Sequence, residues 1–552
     1  MKQIFLDIME KALDAYTDEH IDRYINEVEE NGLKEHGFPR LCANIGILLS
    51  YGRKKRLMPR FLHMMDICCD SFTRKKAAND FSVKEIIFCI LELERSGVVS
   101  KERCNEWREL LRSIDPYTCY NVIATDENDK TKFNWALFTA VSEYMRGVIG
   151  LADTNKTVDT QIATQLYHID ENGMYMDPNQ PIVYDLVPRG LFSVLLYFGY
   201  NGKYKEVIDE LLRKAGLFTL MMQSACGEIA YGGRSNQFIH NEAHFSIVCE
   251  FEARRYKAEG DLHKAGLFKA ASLRSIESAL RWLNKAPILH VKNRFPLESG
   301  YGCEDYAYFD KYMITAASFF YVAGLISDDS IKPVYKSEPF SYRTAPAFHQ
   351  TFLYAGDYSI QYDTSPFFKY DCGGIGRIHR RGAPTTICLS VPCPSHPNYK
   401  IDDGAENISL CAGFGTEGNL EFTCDEGCLH EISPSHSADM AYLVAEVVTR
   451  GGYVGKLHCS VGTDGVTLAA EGDRIAAIML PVLEFDGEKS PVVTVEPSRI
   501  LIRYEGWICQ YETDGRIGEV IRKGGNRNGR YCARYVYNQE KVRLRVQIYE
   551  DK

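Results

Sequence analysis

No run in this 552-residue chain is long and apolar enough to cross a membrane, so a spanning helix is excluded from the expected fold. The first thirty residues, MKQIFLDIMEKALDAYTDEHIDRYINEVEE, lack the uninterrupted apolar core of an export signal, because acids break the stretch from Asp7 onward. Ile4, Phe5, Ile8, Met9 and Leu13 instead recur at helical spacing. Positive charge is in deficit: the net charge of −10 argues against nucleic acid as the main partner, since phosphate binding needs a basic surface. Tryptophan is scarce, with 4 residues against 34 Tyr and 27 Phe, so flat aromatic faces for a sugar would fall mostly to tyrosine. Core packing is the more ordinary use of those rings. The 18 cysteines form no framework of spaced pairs, and Cys89, Cys249 and Cys388 sit inside apolar runs. Thiols so placed are expected to be reduced and buried, which with no export signal points to the cytoplasm.

The length exceeds one ordinary core, so two or more domains are expected. From residue 1 to about 330 the periods are helical, with helices expected at 3–30 (broken or not), 38–52, 56–76, 82–97, 100–113, 132–152, 157–169, 187–200, 203–223, 238–259, 262–284 and 305–327. Short turns such as Asp115-Pro116, Asn201-Gly202 and Gly260-Asp261 join them, which implies antiparallel helical hairpins. No strict solenoid repeat is visible, and hairpins of variable length favour a closed α/α toroid. Residues 171–189, 224–237 and 285–304 break the rhythm and are expected as ordered loops at one end of the helical domain. After about residue 340 short alternating runs take over, at Tyr358–Tyr362, Thr386–Val391, Asp439–Val448, Gly465–Ala470, Arg474–Leu480, Val492–Val495, Arg499–Tyr504 and Lys541–Ile548. Turns such as Glu471-Gly472-Asp473 separate them. The expected architecture is an α/α toroid domain over 1–330, a boundary near Ser327–Phe340, and an antiparallel β-sandwich domain over 340–552.

The densest polar cluster runs from Tyr231 through Gly232, Gly233, Arg234, Ser235, Asn236 and Gln237 into a helix carrying His240, Asn241, Glu242 and His244. Asn236, His240 and His244 are four apart and share a helix face. Three readings stay open. The spacing of His240 and His244 matches an HExxH zinc helix, but Asn241 stands where the catalytic Glu belongs. The histidines can equally satisfy buried helix ends. Or the cluster reads a sugar carboxylate through Arg234, Asn236 or Asn241, with His240 as a base. In a second cluster Asp177 and Asp185, near Tyr184 and Arg189, can pair as acid and base in a hydrolase, or serve as turn former and helix cap. A third places Tyr301 between two glycines, ahead of Tyr306, where it is a candidate general acid or a packed hinge. Asn134-Trp135 offers a stacking face or a core tryptophan. In the β half, the segment from Gly374 to Pro384 is basic, and His379 and Arg380 can extend cations over the open end of the toroid. Cys424-x3-Cys428-x-His430 lacks a second ligand pair and reads as incidental, so no metal or other cofactor is expected.

The segments DENGMYMDPNQPIVYDLVPRGLFSVLLYFGY (170–200), GGRSNQFIHNEAHF (232–245) and GIGRIHRRGAP (374–384) resemble polysaccharide lyases of the heparinase II/III type, and among them the rhamnosyl-glucuronate lyase branch. The resemblance implies a helical toroid joined to a C-terminal β-sheet domain, and β-elimination on a uronic-acid glycan, with an anionic oligosaccharide as partner. It implies carboxylate neutralisation by Asn241 or Asn236 with Arg234, His240 as base, Tyr301 as acid, and His379 and Arg380 contributing from the β-domain. The family's adjacent Asn-His order stands here reversed, as His240-Asn241. The rival readings are a glycoside hydrolase using Asp177, Asp185 or Glu242, and a non-catalytic carbohydrate-binding protein. Trp135, Asn134, Tyr184, Arg189, His244 and Tyr306 complete the candidate substrate-binding set.

Overall fold

The structure is a computed structural model that describes residues 2–74, 79–335 and 338–552. The last two residues of the expected helix 56–76, and 336–337 within the expected boundary, lie outside the described residues. Fourteen α-helices are described: α1 (Lys2–Asp14), α2 (Asp18–Asn31), α3 (Gly37–Ser50), α4 (Met58–Phe72), α5 (Asn79–Ser96), α6 (Lys101–Arg112), α7 (Pro116–Cys119), α8 (Trp135–Val148), α9 (Asn155–Gln165), α10 (Ile182–Tyr197), α11 (Lys205–Met222), α12 (His240–Ala258), α13 (Leu262–Leu283) and α14 (Phe309–Ile326). Thr17 breaks the expected helix 3–30, because its side chain accepts the backbone N–H of His20 and starts α2 afresh.

Six of the helices pack in closed succession: α3 on α5, α5 on α8, α8 on α10, α10 on α12, α12 on α14, and α14 back on α3. Helices α12 and α14 are buried nearly all round, as helices enclosed by others must be. Outside them, α1 covers α14, α4 covers α3, α9 covers α8 and α13 covers α12. Helix α10 begins five residues earlier than the expected 187, and it runs through Pro188. The proline removes one helical N–H. Burial of Ile182, Val183, Leu186 and Val187 on the same helix offsets that loss, so packing overrides the local breaker.

Strands begin at Phe340. A four-stranded antiparallel sheet in chain order comprises β1 (Phe340–Arg343), β2 (Gln350–Ala355), β3 (Tyr358–Asp363) and β4 (Gly374–Arg380). The larger antiparallel sheet holds β5 (Ala412–Thr416), β6 (Asn419–Phe422), β7 (Leu429–His436), β8 (Ala441–Val448), β9 (Val454–Gly462), β10 (Gly465–Phe485), β11 (Val492–Val495), β12 (Arg499–Tyr504), β13 (Trp507–Thr513), β14 (Arg516–Ile517), β15 (Arg522–Asn526) and β16 (Gly529–Glu550). The small sheet packs on β8 and β9, and Leu353, Ile360, Leu443 and Leu457 share one core. Two expectations are corrected here. Glu471-Gly472-Asp473 is a register shift inside the single strand β10, because β16 pairs with it on both sides of the irregularity. Thr386–Val391 is not a strand: Thr385–Cys388 is a 3-10 turn and Leu389 has φ +61°.

The two halves lock through loops. The Gln361 side chain on β3 accepts from Tyr231 N at 3.1 Å and donates to Tyr231 O at 2.7 Å. The turn between β15 and β16 enters the helical half, where Asn528 Nδ2 donates to Lys292 O at 2.8 Å and Asn293 Nδ2 donates to Arg527 O at 2.8 Å. Gly302 sits against that turn at φ +81°, where an added Cβ would lie 2.5 Å from Arg527 O. Gly302→Ala is therefore expected to cost about 2–3 kcal/mol, from left-handed strain plus displacement of the turn. Thermal unfolding of the purified variant checks this, and an unchanged midpoint would contradict the packing described.

Candidate functional site

A cavity of about 380 Å³ opens where the six successive helices converge, and every one of them contributes to its lining. That volume suits one or two sugar units, at the lower end of small-molecule sites. Its ionic lining is unbalanced: Lys34, Arg40, Arg234 and Lys311 face one carboxylate, Glu35. In a chain of net charge −10 this is a local inversion of sign.

One wall is built by the loop entering α12. Gly233 has φ +74°, and Ser235 and Gln237 hold the same left-handed region at +58° and +62°. Strain of this kind persists only where surroundings impose it. Here Glu304 Oε1 accepts the Ser235 backbone N–H at 2.8 Å, and Arg527 grips the same carboxylate with Nη1 at 2.8 Å and Nη2 at 2.5 Å. Both partners of this pair are buried. The Ser235 hydroxyl thereby reaches three phenols, Tyr306 at 3.0 Å, Tyr184 at 3.2 Å and Tyr312 at 3.3 Å. Burial raises the pKa of each, so all three remain protonated. Arg234 lies 4.6 Å over the Tyr184 ring and donates to the buried Asp177, which also accepts from Asn134 Nδ2 at 2.7 Å.

The first turn of α12 supplies His240, whose ring stands edge-on to Tyr312 at 4.6 Å and to His244 at 5.7 Å. Burial, then the charges of Arg40, His290 and Lys292, hold His240 well below the usual 6.5. His244 is depressed likewise, by burial and by His240, Arg40 and Lys84. Both rings are neutral at physiological pH. The Asn241 amide can only donate, at 3.4 Å, to His240 Nε2, so the resting tautomer carries its proton on Nδ1, which has no partner.

Of the residues singled out in the sequence, Asn134, Trp135, Tyr184, Arg234, His240, His244 and Tyr306 line this cavity. The others are elsewhere. Tyr301 stacks on Phe295 at 3.7 Å and donates its hydroxyl to Gly529 O at 3.0 Å, so it is a packed hinge away from His240. Asn241 braces the loop, accepting from Phe238 N and donating to Ser235 O, both at 3.0 Å. Asn236 donates to Ala230 O at 3.3 Å, and Arg189 is ion-paired to Asp185 and donates to Thr219 Oγ1 at 2.7 Å. His379 faces Ser224 Oγ at 3.0 Å, and Arg380 donates to Ile548 O at 2.6 Å; both lie under the 224–237 loop, outside the cavity lining. The hydrolase candidates are each committed to a cation, Asp177 to Arg234, Asp185 to Arg189 and Glu242 to Lys292, and none lines the cavity.

Sequence patterning passed over Tyr312, His36 and Arg40 as cavity residues, and over the Glu304–Arg527 brace. The signal for Arg40 was a cation at the head of an apolar helical run, four residues after His36. Arg527 gave none, since Gly525-Asn526-Arg527-Asn528-Gly529 reads as a solvated turn.

No family model matches the sequence, and no curated protein matches it. Several solved structures align with most of the chain at low identity. Heparinase III aligns over 94% of this chain and 77% of its own, at 8% identity and a TM-score of 0.49. The Streptomyces coelicolor chondroitin AC lyase in complex with chondroitin sulphate aligns over 99% and 79%, at 9% identity and a TM-score of 0.48. A heparan sulfate lyase mutant from Pedobacter heparinus aligns over 93% and 76%, at 8% identity and a TM-score of 0.47.

The brace generates a stability prediction. Glu304→Ala leaves the Arg527 guanidinium buried and unpaired, at an expected cost of about 3–5 kcal/mol. The double variant Glu304→Ala/Arg527→Met is expected to recover part of that loss. A double-mutant cycle by chemical denaturation checks this, and simple additivity of the two single changes would contradict a direct pair.

Proposed function

We propose that this protein is a β-eliminating lyase acting on a uronic-acid-containing oligosaccharide, with the six successive helices read as an α/α toroid (1–330) and the strands as its sandwich domain (340–552). The observation that carries the reading is a neutral buried His240 beside a cluster of protonated phenols, inside a cavity whose lining is net positive. The C5 proton of a uronate is weakly acidic, and removing it builds charge on the adjacent carboxylate. Fixed cations around the carboxylate stabilise that charge without reorganisation. In the reading offered, His240 Nε2 exchanges its long contact with Asn241 for the substrate and takes the C5 proton. The released electron pair forms the C4=C5 double bond, the C4–O bond breaks, and a phenol of the Ser235 cluster gives its proton to the leaving oxygen. Tyr306, the most exposed of the three phenols, is the preferred donor, with Tyr312 between it and His240. Sixteen of the eighteen cysteines are buried and all are free, which suits a reducing cytoplasm and imported oligosaccharides as substrates.

The test is ultraviolet absorbance of the conjugated unsaturated uronate, followed with purified protein against a panel of uronate oligosaccharides that includes rhamnosyl-glucuronate caps. A rise is expected that is abolished in His240→Ala and falls roughly 10²-fold or more in Tyr306→Phe. New reducing ends without absorbance would replace this reading with hydrolysis.

The depressed histidine sets the pH dependence. The base is competent only while neutral, and burial with the facing cations Arg40 and Lys292 holds its pKa well below 6.5. The acidic limb of kcat/KM is therefore expected below pH 6.5. A limb at or above that value, shared by His240→Ala residual activity, would remove His240 from the role.

A further inference from the structure

The cavity's positive charge is uneven in place as well as in total. Arg234 is compensated by the fully buried Asp177, and Lys311 lies 3.4 Å from Glu35. Arg40 is not matched in this way. It lines the cavity at 1% exposure, and its Nε is 3.3 Å from Glu85, a carboxylate that also takes the ammonium of the buried Lys84. Its Nη1 donates to Thr315 Oγ1 and to His36 Nδ1, each at 2.7 Å, and both acceptors are uncharged. Its Nη2 is buried with no hydrogen-bond partner. Two buried cations thus share one carboxylate, and the acid of the cavity lining, Glu35, is ion-paired to Lys311.

The neighbours of Arg40 register this excess. The guanidinium and the His244 ring both pack on Phe319, at 5.4 Å and 4.0 Å. His36, with its Nδ1 accepting from Arg40, carries its proton on Nε2 and is a fixed donor in the cavity lining. Burial and the charge of Arg40 drive both imidazoles neutral, so neither repels an incoming anion. A buried cation that shares its one counter-charge with a second cation has lost solvation that the fold returns only in part, and an oxyanion entering beside it restores the balance.

We propose that Arg40, rather than Arg234, is the anion anchor of this cavity: an oxyanion of the ligand binds against Arg40, with His36 as a flanking donor. Under the lyase reading, on which only this last step rests, that oxyanion is the uronate carboxylate whose adjacent C–H faces His240; a sulfate ester offers the same charge and donor demand.

The experiment is isothermal titration of the full-length protein with sodium glucuronate and, separately, with sodium sulfate, in wild type, Arg40→Gln and Arg234→Gln. Wild type is expected to bind glucuronate, Arg40→Gln to lose about tenfold or more in affinity, and Arg234→Gln to stay within about threefold. Tighter binding of sulfate than glucuronate, lost in Arg40→Gln, supports the anchor and assigns the oxyanion to an ester sulfate. No binding of either probe to wild type, or an equal loss in Arg234→Gln, overturns the proposal. Should Arg40→Gln misfold, the ring resonances of His36 and His244 in wild type decide: they are expected to shift on titration, and binding that leaves both unmoved overturns the anchor. Anion binding at Arg40 without any unsaturated product would leave the anchor standing and the lyase reading fallen. Unsaturated product with an unchanged KM in Arg40→Gln would do the reverse.

Discussion

The buried ion pair between Glu304 and Arg527 is the constraint on which the candidate site depends. Arg527 comes from the turn between two strands of the larger sheet, Glu304 from the segment ahead of the last long helix, and the Ser235 amide from the loop that opens α12. Three distant parts of the chain therefore meet at one carboxylate. The pairing holds Ser235 in a left-handed conformation that an L residue adopts reluctantly, and the hydroxyl so placed gathers three phenols. The β half thus serves the helical cavity by bracing its wall, while His379 and Arg380, the cations expected to reach over it, are spent on loop and strand contacts beneath.

Burial and unbalanced charge set the protonation states that a proton-transfer site requires. The phenols are kept protonated by desolvation, and the imidazoles are kept neutral by desolvation and by Arg40. Arg40, one of the cations that depress the histidines, is the anchor proposed for an anionic ligand. One arrangement therefore yields a neutral imidazole, protonated phenols and a positive field, the three things the proposed elimination next to a carboxylate requires.

The helical half was largely legible because its helices carry apolar stripes with capped ends, and Thr17, Ser100 and Asp261 each cap as their residue type suggests. The reading failed in that half where tertiary burial outweighed a local breaker, at Pro188, and in the β half where a Gly-Asp turn signal was absorbed as a bulge in a long paired strand, at Gly472. The site was half legible. His240 and His244, on an expected helix, project to a predictable face, whereas Tyr184 was read in a loop and lies on α10. Tyr301, in an irregular loop, and Asn241, in the first turn of α12, turned out to be fasteners of loop backbone. The partners that matter most, Arg40 with a counter-charge shared with Lys84 and Arg527 with its reach of over two hundred residues to Glu304, are products of three-dimensional convergence that no local pattern encodes.

Elimination and hydrolysis differ in whether water enters the product, and that difference tests the central claim most directly. A uronate oligosaccharide turned over by the protein in water enriched in heavy oxygen, with the products weighed by mass spectrometry, is expected to yield an unsaturated sugar and a freed chain end into which cleavage has placed no label, once passive exchange is subtracted. Heavy oxygen installed at the cleaved bond, with no unsaturated partner, would contradict the account.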